Sequence, residues 1–146
     1  MSYETGEALI LTRVQACTGF TSTNTSRADW KLLNSGKSDH YAILKCGGVA
    51  AIEWQTLKSY IVRWKTSIEV WQRYKDDSST ATSLYGYVAA ILAIMAYPHL
   101  GSTIQDSDIT EIGQTEEMWA ESGGVSWLRQ TLTLEWQESI MVSFTE

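Results

Sequence analysis

The run Leu84–Pro98, LYGYVAAILAIMAYP, constrains this chain most, because it is the only long stretch with almost no polar side chain and it is bounded at both ends. Ala, Leu, Ile and Met favour helix, and Asp76, Asp77, Ser78 and Ser79 ahead of it supply capping oxygens and negative charge for a helix N-terminus. Pro98 stops the helix, so the prediction is a central helix over residues 84–97. At helical rise that segment spans ~21 Å, short of a bilayer crossing, which predicts a buried helix and no membrane partner. Leu84, Val88, Ile91 and Met95 form one stripe, with Tyr85, Leu92 and Ala96, and then Tyr87, Ile94 and Tyr97, forming two more. A helix apolar all round must be covered on more than one side, by a sheet and then by the amino-terminal helix or a neighbouring subunit. Gly86, Ala89, Ala90 and Ala93 would admit a close partner backbone.

The length of 146 residues predicts one domain, 1–146, burying about two thirds of its unfolded surface without disulfide or metal. The net charge of −6 argues against nucleic acid as a primary ligand. Lys58, Arg63, Lys65, Arg73 and Lys75 gather in one region, but interrupting acids suit a solvated strand face. Cys17 and Cys46 have no CxxC spacing and read as small buried residues. The start, MSYETGEALILTRV, carries acids where a signal peptide carries bases, which predicts a reducing cytoplasm.

In chain order, Tyr3 to Cys17 has the spacing of an amphipathic helix stopped by Gly19. Residues 18–39 are a long polar loop, with one short helical turn over Ala28–Leu33 and Trp30 as its anchor. His40 to Cys46 is a short strand ended by Gly47–Gly48, and Val49 to Lys58 is a connection carrying Trp54. Ser59 to Tyr74 alternates as a strand, with Tyr60, Val62, Trp64, Thr66, Ile68 and Val70 inward and Trp71 on the wet face. After the helix come a loop over Gly101–Asp106 and a weaker strand over Ile109–Trp119. A hairpin turn at Ser122–Gly124 then leads into a last strand over Val125–Ile140, with Leu128, Leu132, Leu134 and Trp136 inward and Trp127 outward. The expected fold is α+β in the order α-β-β-α-β-β, a mostly antiparallel four-stranded sheet with helices on one face. Strands of twelve to sixteen residues must bend or project as a ribbon.

Signals for chemistry are thin. His40 and His99 are the only imidazoles, and with Cys17 and Cys46 they lack finger-like spacing, so no metal or cofactor is expected. QDSDITE has Glu111 where a calcium loop needs glycine, and Glu116, Glu117 and Glu121 read as solvating charge beside a turn. No phosphate-binding glycine loop or nucleophile elbow occurs, and the chain reads as a non-enzyme. Aromatic surface remains: seven Trp and seven Tyr exceed what one sheet-helix core consumes. Trp71 and Trp127 would be covered either by a folded-over loop or by another chain. The interface candidates are Trp30, Trp54, Trp71, Trp127, Arg63, Arg73 and Arg129; the core candidates are Trp64, Val88, Ile91, Met95, Leu132 and Trp136.

The leading helix, the polar loop with a Trp before HYAILKC, the long strand ending WQRYKDD, the helix closing in YP and the final LTLEWQES strand form a pattern over roughly Ala8 to Ser139. That pattern resembles the tail terminator, or tail completion, proteins of long-tailed bacteriophages. The resemblance implies a virion protein of the tail neck, assembled in the host cytoplasm as a homo-oligomeric ring, usually a hexamer. Such a ring caps the tail tube, ends polymerisation of the tail tube protein and docks the head-tail connector or stopper protein. Genomic DNA would only pass through its bore, which an acidic subunit suits because like charge repels phosphate. Two other readings stay open: a head-completion or stopper protein of the same neck, and a small-ligand-binding domain with its pocket between Trp64, Trp136 and the central helix.

Overall fold

The computed structural model describes residues 3–95, 105–119 and 126–141. Helix α1 spans Tyr3–Gln15, β1 Thr25–Arg27, a short 3-10 helix Trp30–Asn34, β2 His40–Thr56 and β3 Ser59–Arg73. Helix α2 spans Asp77–Met95, followed by β4 Gln105–Ile112, β5 Glu116–Trp119 and β6 Ser126–Met141. The predicted Pro98 stop, residues 96–97 of the central helix, His99, most of the Gly101–Asp106 loop, Glu121 and the Ser122–Gly124 turn lie outside the described residues.

The expected fold class is corrected. The sheet has six strands in the order β1-β2-β3-β6-β4, with β5 also on β6, and the chain order is α-β-β-β-α-β-β-β. It is mixed, since β1 runs parallel to β2, pairing Thr25 with Ala42 and Arg27 with Leu44. The missed β1 is three residues inside the polar loop, too short for any alternation to show. The weak strand expected over 109–119 is two strands, both antiparallel to β6 and separated by Gly113–Thr115.

Gly47–Gly48 do not end β2. The strand passes through them on a bulge between Cys46 and Gly48, where Gly48 takes a φ of 90° that other residues rarely adopt. The segment expected to be a connection, Val49–Lys58, is instead the far half of β2 and the tip of a hairpin with β3.

The main core lies between the sheet and the two helices. Ile10 and Val14 of α1, and Leu84, Val88, Ile91 and Met95 of α2, close over Ala42, Leu44, Ile68, Val70, Leu132, Leu134 and Trp136. Trp64 packs on its margin, half-buried. Gly6 brings α1 onto the Trp136 ring, because a Cβ there would stand 2.2 Å from Cη2 of that ring. Tyr3 lies between the two tryptophans, 5.2 Å from the Trp64 ring and 5.6 Å from Trp136. Burial raises the Tyr3 hydroxyl pKa, and Tyr3 shares a hydrogen bond of 2.8 Å with Thr66 Oγ1.

Helix α2 begins at Asp77, seven residues before the apolar run. Asp76 caps it: its Oδ2 accepts from the Ser79 hydroxyl at 2.7 Å and its Oδ1 from the Ser79 amide at 2.8 Å, and these bonds, the hydroxyl's first, lower the Asp76 pKa. The all-round cover expected for this helix is not present over its described length. Its buried apolar residues form the single stripe Leu84, Val88, Ile91 and Met95, while Tyr85, Gly86, Ala89 and Ala93 are exposed. Ser78–Met95 is long and apolar enough to cross a membrane, with a mean hydropathy of 1.3, yet that one stripe seats it on the sheet as a core helix.

Candidate interaction surface

The face of the sheet opposite the helices also has a core. Tyr41, Ile43, Trp71 and Trp127 are buried there, with Leu32, Leu33 and Met118 against them. The strand phase did place Trp71 and Trp127 away from the helices, but the wet face expected there is not wet: of the two covers, a folded-over loop or another chain, the loop is present, and they are 6% and 5% exposed. The short 3-10 helix of the polar loop and β5 supply the cover. Glu69, also buried, accepts from the Trp30 indole N–H at 2.7 Å and from that of Trp71 at 3.2 Å. Arg129 lies over the Trp71 ring, 5.3 Å from its centroid, and bonds Glu116 at 3.1 Å. A buried carboxylate held by two indoles and facing a guanidinium pins the loop to the sheet.

The interface candidate Arg63 and the core candidates Trp64 and Trp136 are also engaged within the chain. Arg63 Nε donates to Glu135 at 3.1 Å, Trp64 Nε1 to Glu138 at 2.9 Å and Trp136 Nε1 to Thr66 at 3.0 Å. Arg73, at the end of β3, is exposed, and its amide donates to the Asp39 carbonyl at 2.7 Å. Trp30 remains 38% exposed despite its bond to Glu69. The space required for a ligand pocket between Trp64, Trp136 and the helices holds the Tyr3 ring.

A polar knot ties the loop to the start of β2. Asp39 accepts from Lys75 Nζ at 2.6 Å and pairs with His40 Nδ1 at 2.7 Å. The His40 ring stacks on Tyr87 at 4.1 Å, and its Nε2 meets the Gly19 carbonyl at 2.6 Å. Lys75 first and His40 second hold the Asp39 carboxyl at about 2, well below its usual range. These partners organise an Asp-His-Lys group in which both nitrogens of His40 are committed, Nδ1 to Asp39 with the Ser38 hydroxyl 3.3 Å away and Nε2 to the Gly19 carbonyl. Among the described residues no group of three metal-ligating side chains gathers.

What stays open is the ribbon. Every residue from Lys45 to Lys58 is exposed. Val49 pairs with Trp64, Ile52 with Val62 and Trp54 with Tyr60, so all three lie on the face that the helices cover farther along the same sheet. Here they stand open: Val49 is 44% exposed, Ile52 57% and Trp54 63%, with Leu57 at the tip 89% exposed. The second bulge, between Val49 and Ala51, makes this strip continuous, because without it the odd spacing from 49 to 52 would put these residues on opposite faces. Trp54 leans on Tyr60 with ring centroids 4.8 Å apart. Beyond β1, which reaches only residues 42–44, no described strand pairs the outer edge of β2.

No family model matches the chain, and no curated protein matches its sequence. Of the interface candidates, Trp54 alone belongs to the exposed apolar strip of the ribbon. Ile52, Val49 and Leu57 join it there, and sequence reasoning missed them because it took Gly47–Gly48 as a stop. Three large apolar residues within six positions, Val49, Ile52 and Trp54, were the available signal.

Proposed function

We propose that this protein is a structural subunit that works by assembling with copies of itself, as the ring that caps a bacteriophage tail tube. The observation that carries the reading is the apolar ribbon, the far half of β2, which runs ~30 Å along β3 and leaves Val49, Ile52, Trp54 and Leu57 exposed. An arm of this kind is costly to expose, and a second protein surface is its natural cover. The sequence resemblance to tail terminator proteins supplies the particular assembly. In such a ring the mechanism is steric: one face seats on the last tube ring and the other offers no copy of the tube's polymerising surface. The stopper and connector would meet that other face, and DNA would pass through the bore.

Purified protein should form a closed oligomer, with a hexamer expected, when its mass is followed by light scattering across a hundredfold range of concentration. Added to polymerising tail tube protein, it should shorten the tubes and appear at their ends in electron micrographs. A strictly monomeric protein that leaves tube length unchanged would overturn the reading.

A further inference from the structure

We infer that the ribbon docks head-to-tail on the opposite flank of an identical copy, the acidic β4–β5 edge. The inference rests on the ring reading above and specifies its contact. The two surfaces lie at opposite ends of the strand order, β2 toward one side and β4 toward the other, so one copy cannot bring its own pair together.

Their charges are complementary. Residues 45–65 carry Lys45, Lys58, Arg63 and Lys65 against Glu53 alone. Residues 108–117 carry Asp108, Glu111, Glu116 and Glu117, all exposed, and no basic residue. Arg63 is already held by Glu135 and Glu116 by Arg129, so the contact is set chiefly by Lys45 and Lys58 meeting Asp108, Glu111 and Glu117. Apolar surface matches as well. Ile112, 47% exposed on β4, and Tyr85, 52% exposed on α2, which packs beside β4, face the strip of Val49, Ile52 and Trp54 with apolar area of their own.

A two-fold contact between ribbons would instead bring Lys45 and Lys58 of one copy toward the same residues of the other, a like-charge arrangement that costs affinity. Contact between two different flanks repeats by rotation, and closes into a ring when the rotation divides a full turn.

The experiment uses two charge-reversed double variants of the full chain, Lys45→Glu with Lys58→Glu, and Asp108→Lys with Glu111→Lys. Circular dichroism checks that both fold, as exposed substitutions should. In low salt each variant alone should assemble at least tenfold more weakly than wild type by native mass spectrometry. Mixing the two should restore assembly with equal numbers of each, and placing all four changes in one chain should restore it too. If wild type assembles and either variant alone assembles as well as wild type, this contact is wrong while the ring reading stands. Loss for the ribbon variant alone would mean that the ribbon meets an acidic surface other than the β4–β5 edge, which overturns this contact. A wild type that stays monomeric removes both.

Discussion

The two halves of β2 differ sharply in shelter. Tyr41, Ala42, Ile43 and Leu44 are each 0% exposed, whereas every residue from Lys45 to Thr56 is exposed, although both halves pair with β3 in one hairpin. Ile43 and Ile52 are the same side chain in the same strand at 0% and 57% exposure. The difference lies in what stands over each half. The helices close one face of the near half and the 3-10 helix closes the other, while the far half runs past both. Burial here belongs to the neighbouring layers, and the exposed half of the strand is the surface that the proposed assembly would use.

Breaking the near half should be expensive. Trp136→Ala, at a fully buried position beneath α1, should cost ~3–5 kcal/mol of unfolding free energy, and Trp127→Ala on the other face should cost a similar amount. Urea denaturation measures both; a Trp127→Ala protein as stable as wild type would mean that the second core is not a core. Gly6→Ala pushes a methyl into the Trp136 ring and should cost about 1–3 kcal/mol, unless α1 shifts away and the Tyr3 stacking is lost with it. Near-ultraviolet circular dichroism of the aromatic rings distinguishes those outcomes.

The Asp39 knot gives a pH test of the loop that covers the second face. Its carboxyl pKa is lowered to about 2 in the folded chain, against roughly 3.9 in an unfolded one. Its contribution is therefore fully present above about pH 4 and is lost as the pH falls through about 2. Asp39→Asn should lower the melting temperature at pH 5, and the gap to wild type should close by pH 2. Parallel curves across that window would show that the knot carries no stability. The smallest effect belongs to the far half: Ile52→Ser with Trp54→Ser should change monomer stability by only ~0.5 kcal/mol, while strongly weakening self-association. Monomer unfolding as large as that of Trp136→Ala would place the ribbon inside a core and remove its availability.

Several elements were legible in the sequence because their signals are local. The even positions of β3 and β6 fall on the helix side as their alternation requires, and the stripe Leu84, Val88, Ile91 and Met95 seats α2. The Asp76 cap needs only the residues beside it. β1 was not legible, since its three residues form a strand only by pairing with Leu44 and its neighbours. The far half of β2 was hidden by its bulges, which let two glycines sit inside a strand and break the period of two that would have revealed it. The exposed ribbon, the best candidate for function, was thus the part that sequence reasoning misread as a connection.

By itself the sequence determined where periodic segments lie, which of their faces are apolar, where α2 is capped and that the chain is acidic. These follow from backbone periods and side-chain chemistry within a few residues. Only the tertiary structure decided that Trp71 and Trp127 are sheltered while Ile52 and Trp54 are not. Shelter depends on which distant segment arrives over each face, and the Leu32–Leu33 turn, well before both tryptophans in the chain, leaves no mark in their local pattern.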